Sequence, residues 1–191
     1  MYCDIRRRDR QVAATGRRQR PIGIRDSDTV VPMIVIGPGV PAGIAVDAMT
    51  STIDLGPSFA QLFGATAPNW VDGRSMVDFF SAGETPEGWR NAVLSESLGI
   101  STPEDPDYQK NAPPQFFALR SEKWLYVEYV DGSKTLYDRE NDPYEMVNLI
   151  TTADPLLIAS LSDQLKALST CLGDDCRVAD SAAIPVVGVS Q

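Results

Sequence analysis

The sequence contains no histidine in its 191 residues. That excludes a Ser-His-Asp triad, and it removes the commonest side chain for proton transfer near neutral pH. Ser95 and Ser97, which flank Glu96, therefore have no imidazole base to activate them. Cysteine is scarce too: Cys3, Cys171 and Cys176 form no C-x-x-C pair, and without histidine they cannot complete a zinc set. No apolar run approaches the roughly 20 residues needed to cross a bilayer. The first residues, MYCDIRRRDR, carry charge but no apolar h-region, so they do not read as a signal peptide. No internal repeat is present.

What is there is unevenly charged. The formal net charge is −9, yet residues 1–25 hold eight Arg and two Asp. The acidic remainder repels phosphates and argues against a nucleic-acid partner. Residues 1–29 follow neither a helical nor a strand period. They read as an irregular arm, disordered or non-native, such as a shifted reading frame would produce.

From Val30 the character changes. VVPMIVIG, ending in GPG, is short, apolar and β-branched, and reads as a buried strand of the kind covered on both faces in a parallel or mixed sheet; with its sheet neighbours missing, the strand Met33–Ile36 would be left exposed. STIDLGPSFAQLFG predicts a short amphipathic helix capped by Asp54, with Pro57 in its first turn. Its stripe is Leu55, Phe59, Leu62 and Phe63, and Gly64 stops it. ATAPNWVDGRSM is loop, NAVLSES holds a second short strand, and residues 99–115 form a polar, proline-rich excursion.

FFALRSEKWLYVEYVDGSKTLYD then reads as three strands. Trp124, Tyr126 and Glu128 alternate with Leu125, Val127 and Tyr129, and Asp131-Gly132 signals a hairpin. The next helix is capped by Asp154, has Pro155 at its first position, and carries a stripe of Leu157, Leu161, Leu165 and Leu168.

Three motifs invite a functional reading. Asp138, Glu140 and Asp142 fit the first positions of a calcium loop. However, Pro143 replaces the required glycine and Leu149 the closing glutamate, so these acids read as a solvated turn. Asp72-Gly73-Arg74-Ser75 has the outline of a phosphate turn but lacks a glycine-rich cradle and a lysine, which favours a structural turn. In CLGDDC, a local disulfide between Cys171 and Cys176 is the favoured reading, and two free thiols near a ragged C-terminus are the alternative. Asp174 and Asp175 would disfavour a reactive thiolate there.

Six strings in order carry a resemblance: VPMIVIGPGVPAG, STIDLGPSFAQLFG, VDGRSM, WRNAVLSE, FALRSEKWLYVEY and LYDRENDPYEMVNL. Together they resemble the C-terminal part of a sulfatase, of the arylsulfatase or N-acetylglucosamine-6-sulfatase-like kind. The last string matches the family pattern at Leu136, Tyr137, Asp138, Asp142, Pro143, Glu145, Asn148 and Leu149. The ending TCLGDDCR resembles a Cys-x4-Cys-Arg close and supports the disulfide.

The resemblance implies an α/β fold. It would be the end of an alkaline-phosphatase-like sulfatase sandwich (residues 30–98), a linker or excursion (99–115), a small antiparallel β-sheet subdomain with one packed helix (116–177), and a tail (178–191). For the complete enzyme it implies hydrolysis of aryl or sugar sulfate esters, calcium as the cation, and a secreted or periplasmic location.

The chain departs from the family where chemistry is concerned. The family's formylglycine motif C-x-P-S/A-R, its D-N-G metal motif and its G-x-H are absent. Cys3 is followed by Asp4, Ile5 and Arg6, and Val30-Val31-Pro32 lacks the arginine usual before this strand. No catalytic, metal-binding or cofactor-binding residue is therefore assigned. The implied partner is an N-terminal half carrying those groups. A phosphonate or phosphodiester hydrolase of the same superfamily, or a non-catalytic docking module, stands as the alternative.

Overall fold

The computed structural model describes residues 29–83, 85–97 and 114–185. The arginine-rich arm over residues 1–28, the excursion over residues 98–113 and the tail beyond residue 185 lie outside the described residues.

The centre is a four-stranded antiparallel meander: β1 (Ala92–Ser97), β2 (Phe116–Ser121), β3 (Trp124–Tyr129) and β4 (Lys134–Asp138), in that spatial order. The expected hairpin at Asp131-Gly132 is present. Gly132 has φ 86°, and the Ser133 carbonyl accepts from the Tyr129 amide at 2.9 Å. The strand expected at the end of the α/β unit is β1, and its partner is β2 of the meander. The sheet thus spans the expected boundary at residue 98.

Register explains the core. Leu94, Leu119, Tyr126 and Leu136 pair in one row across all four strands. Because side chains alternate along a strand, this row shares a face with Trp124. A 16-residue helix packs on that face, with Leu157, Leu161, Leu165 and Leu168 all buried against it. Each leucine contributes about 1.5–3 kcal/mol by leaving water. The helix starts as the sequence predicts, with the Asp154 carboxylate accepting from the Leu156 amide at 2.8 Å and proline in the first turn. The opposite face of the sheet holds a second cluster of Phe116, Ala118, Leu125 and Val127.

The segment before the sheet differs from expectation. Residues 33–36 form only an isolated bridge at Ile34 rather than a strand covered on both faces. Met33 and Val35 pack on a small core of Val46, Met76, Phe79 and Phe80, whereas Ile34 and Ile36 are 58% and 91% exposed. The segment is one-sided because only its odd-numbered side chains meet the core.

A 3-10 turn (Thr52–Asp54) then leads into α1 (Leu55–Leu62), which fills the expected place. Its apolar stripe is not buried: Phe59 and Phe63 are 54% and 87% exposed. The face turned inward is that of Pro57 and Ser58, because the Ser58 hydroxyl donates to the Asp54 carbonyl at 2.6 Å and accepts from the Met76 amide at 2.8 Å. A short helix, α2 (Val77–Ala82), follows. The helix on the sheet is α3 (Pro155–Thr170).

The region expected to be a loop and tail contains another helix, α4 (Asp174–Asp180), which begins inside the cysteine loop and buries Cys176, Ala179 and Asp180. The subdomain thus carries two packed helices where one was expected. Among the described residues, no helix is long and apolar enough to cross a membrane.

Candidate functional site

The densest assembly of charged groups lies where α1, the 72–76 loop, the start of β1 and α4 converge. Asp54 is fully buried, and Arg90 grips it with both guanidinium ends, at 2.7 Å to Oδ2 and 2.6 Å to Oδ1. The Arg74 amide donates to Oδ1 and the Ser51 amide to Oδ2, each at 2.8 Å. Asp54 stands at the N-cap position of α1, but its carboxylate is spent on these four donors, the Ser51 amide among them as a capping box of the 3-10 turn, and makes no cap bond to α1.

Arg90 Nε reaches the second acid, Asp180, at 3.1 Å, and the Arg74 guanidinium also donates to Asp180. Arg74 donates as well to the carbonyls of Gly88 at 2.7 Å and Arg177 at 2.5 Å. Burial pushes the Asp180 carboxyl above its ordinary value, and the guanidiniums of Arg74 and Arg90 pull it back only in part. The ring of Trp89 lies 5.6 Å and 5.5 Å from these two guanidinium carbons, in cation–π range.

This geometry accounts for the whole D-G-R-S turn. Asp72 accepts from the Gly173 amide at 2.6 Å, and Ser75 accepts from the Val77 amide at 3.3 Å at the start of α2. Gly73 lies against the chain at Ile53, where a Cβ would sit 2.1 Å from the carbonyl oxygen. The turn is therefore a structural joint, and Arg74 is committed to protein partners.

The expected disulfide is present: Cys171 and Cys176 are joined, with Cα atoms 4.9 Å apart. Its loop rests on residues 69–73. A Cβ on Gly173, at φ 59°, would sit 2.1 Å from the Asn69 carbonyl oxygen, so glycine is required there on both counts. Arg177 reaches the carbonyls of Val71 at 3.2 Å and Gly73 at 3.4 Å.

The acids of the 136–149 stretch are likewise used. Asp138 is buried rather than solvated, and its Oδ1 accepts from the amides of Glu140 and Asn141, each at 3.1 Å. Asp142 accepts from the Val147 amide at 2.7 Å. Asn148 accepts from the amides of Leu136 at 3.0 Å and Ile150 at 3.1 Å, which folds the turn back on the sheet. Among the described residues, no three His, Cys, Asp or Glu side chains gather where they could hold a metal ion.

A second polar cluster sits at the edge of the α3 face. Glu128 Oε1 accepts from Tyr126 Oη at 2.6 Å, Ser162 Oγ at 2.6 Å and Lys134 Nζ at 2.9 Å. Burial raises the Glu128 carboxyl, but the three donors outweigh that and hold it below its ordinary value. Burial first, and then the bond to Glu128, raise the Tyr126 phenol.

A cavity of about 260 Å³ opens beside Asn91, Trp124, Ile184 and Pro185. Its polar groups are occupied: Asn91 Nδ2 donates to the Ala182 carbonyl at 2.7 Å, and Lys123 pairs with Glu140 at 3.1 Å. Ser95, Glu96 and Ser97 lie on β1.

Sequence reasoning missed Arg90 and Asp180. Arg90 stands just before a strand with no pattern to mark it, and Asp180 falls within the expected tail. The one signal for Asp180 was that the cysteine loop runs straight into a helix-compatible DDCRVAD.

Comparison with known proteins follows this architecture. The family described as N-sulphoglucosamine sulphohydrolase, C-terminal, matches residues 24–170. Arylsulfatase K of Mus musculus is 26% identical over 169 residues, which is 83% of this chain and 28% of the relative. The structure of the phosphonate monoester hydrolase of Silicibacter pomeroyi is 34% identical with a TM-score of 0.56, over 72% of this chain and 28% of that one. Another structure, of a protein in complex with its substrate D-glucosamine-2-N,6-O-disulfate, has a TM-score of 0.60 at 19% identity, over 75% of this chain and 28% of that one, and speaks to the fold alone. The chain thus spans 28% of the length of each of these three relatives. A match that runs through the one-sided segment, the joint, the sheet and α3 alike shows that this chain belongs to the sulfatase family, as a C-terminal portion of the N-sulphoglucosamine sulphohydrolase type.

Proposed function

We propose that this chain is the C-terminal scaffold of a sulfuric ester hydrolase acting on aryl or sugar sulfates, and that it is inactive by itself. One observation carries the reading. In a chain without histidine, the buried acids and arginines are consumed by structural ties, as in the Asp54–Arg90–Asp180–Arg74 network. Sulfate ester cleavage needs a nucleophile, a cation to hold the sulfate oxygens and an acid for the leaving alcohol.

On this reading all three come from outside this chain. Guanidiniums occupy Asp54 and Asp180, and backbone amides occupy Asp138 and Asp142, so these four carboxylates are already engaged by protein donors. The exposed apolar side chains of Ile34 and Ile36, and those of Phe59, Leu62 and Phe63 at α1, are where the remainder of the α/β unit docks, whether from a longer polypeptide or from another chain.

The test is complementation. An arylsulfatase truncated before the matched region is mixed with this chain and assayed on para-nitrophenyl sulfate. Restored hydrolysis supports the scaffold reading, and failure of both binding and hydrolysis rejects it. A second reading, part of a phosphonate monoester hydrolase, is favoured by the 34% identity to the Silicibacter pomeroyi enzyme. The same mixture assayed on para-nitrophenyl phenylphosphonate separates the two.

A further inference from the structure

We propose that the Cys171–Cys176 disulfide is a redox latch: while closed it holds α4 and Asp180 in place, and so keeps the joint around Asp54–Met76 coupled to the sheet. The inference does not depend on which ester the complete enzyme cleaves.

Helix α4 has only seven residues, too few to hold its shape without tertiary support. Its buried apolar side chains are small, Cys176 and Ala179, while Val178 is exposed. It nevertheless carries ties in two directions. Toward the sheet, the Asp180 carbonyl accepts from the Asn91 amide at 2.8 Å, and the Ala179 carbonyl accepts from Gln164 of α3 at 2.9 Å. Toward the joint, Gly173 donates to Asp72, Arg177 donates to the carbonyls of Val71 and Gly73, and Asp180 accepts from Arg74. All of these joint contacts fall between residues 173 and 180, and the disulfide pins Cys176, in the middle of that span, to Cys171 at the end of α3.

Opening the latch also has an electrostatic consequence. If α4 moves away, Arg90 keeps Asp54, but the Arg74 guanidinium loses Asp180 and is left with the Gly88 carbonyl and no paired carboxylate. The joint should then loosen while the leucine-packed sheet stays intact.

A dithiol reductant would open it. One of its thiolates attacks Sγ of Cys171, the more exposed of the pair, and forms a mixed disulfide. The S–S bond breaks, and Cys176 leaves as a thiolate that takes up a proton. The second thiol of the reductant then displaces Cys171, which also ends as a thiol. Two electrons pass to the protein, and the reductant becomes a disulfide.

The experiment is amide hydrogen exchange on the full chain with and without dithiothreitol. The probes are the amides of Arg74, Met76 and Gly173, each bonded to a side chain of the joint. In the reduced chain they should exchange at least tenfold faster, while the β2–β3 amides change by less than twofold. Cys171→Ser/Cys176→Ser should reproduce this. Asp180→Asn, with the disulfide intact, should speed exchange at Arg74 so that adding reductant changes that site little further. The proposal is overturned if the three probes change by less than twofold on reduction, or if the sheet amides accelerate with them. Should the double serine variant not fold, the reductant titration of the unaltered chain decides alone.

Discussion

Arg90→Met tests the energetics of the buried network. Arg90 donates three charge-assisted hydrogen bonds, two to Asp54 and one to Asp180, from a side chain that is 2% exposed to an Asp54 side chain that is 0% exposed. Methionine keeps much of the aliphatic stem and removes the charge. Asp54 would keep its bonds from the amides of Ser51 and Arg74, and those two amides cannot neutralise a buried carboxylate.

Removing one partner of a buried ion pair costs about 3–5 kcal/mol. A domain of this kind has roughly 5–15 kcal/mol in total, so the loss is a large share. With a urea slope of about 1–3 kcal/mol/M, the midpoint should fall by on the order of 2 M. Urea unfolding followed by tryptophan emission reads it directly, because Trp89 lies 5.5 Å from the Arg90 guanidinium and Trp124 lies in the sheet core. Arg90→Lys should fall between the two, keeping the charge and losing the two-pronged grip. Asp54→Asn/Arg90→Met should lose less than the sum of its single variants. A loss below about 1 kcal/mol for Arg90→Met, or strict additivity in the double variant, would refute the reasoning.

Three further outcomes follow from the same structure. Gly73→Ala places a Cβ 2.1 Å from the Ile53 carbonyl oxygen, so it should cost about 1–3 kcal/mol, as forced overpacking does, read as a lower urea midpoint. Phe59→Ser/Phe63→Ser changes side chains that are 54% and 87% exposed. It should leave stability within about 0.5 kcal/mol and reduce self-association in light scattering; unchanged association would show that this face is not the adhesive one. Glu128 is held below the ordinary carboxyl value of 4.5 when folded. The folded state then binds this proton less readily than the unfolded state, so the contribution is fully present above that value and is lost as pH falls through the folded value. Glu128→Gln should flatten that part of the stability–pH curve, and an unaltered curve would remove Glu128 as its source.

The legible part of the fold was local. Alternation in β3, the Asp131-Gly132 turn and the Asp154-Pro155 start of α3 are each written in fewer than ten adjacent residues, and all three appear as read. The stripe of α1 was visible too, but periodicity tells which side chains share a face and not whether anything covers that face. Leu55, Phe59, Leu62 and Phe63 share one face and remain exposed. The VVPMIVIG run failed for a related reason, since a strand needs partners, and among the described residues only Met33 and Val35 find a core.

The network was hidden because its members are far apart in sequence. Asp54, Arg74, Arg90 and Asp180 come together only once α4 returns to the joint. Asp138 is buried in a turn whose sequence suggests solvated acids. A buried acid serving its own turn looks the same in sequence as an exposed one.

On the proposed reading this chain supplies scaffold and no catalytic group. Purified chain assayed on para-nitrophenyl sulfate in the presence of calcium tests it most directly. No turnover above the buffer rate is the expected result. Saturable hydrolysis that survives repurification and disappears in a variant of this chain's own residues would contradict the account.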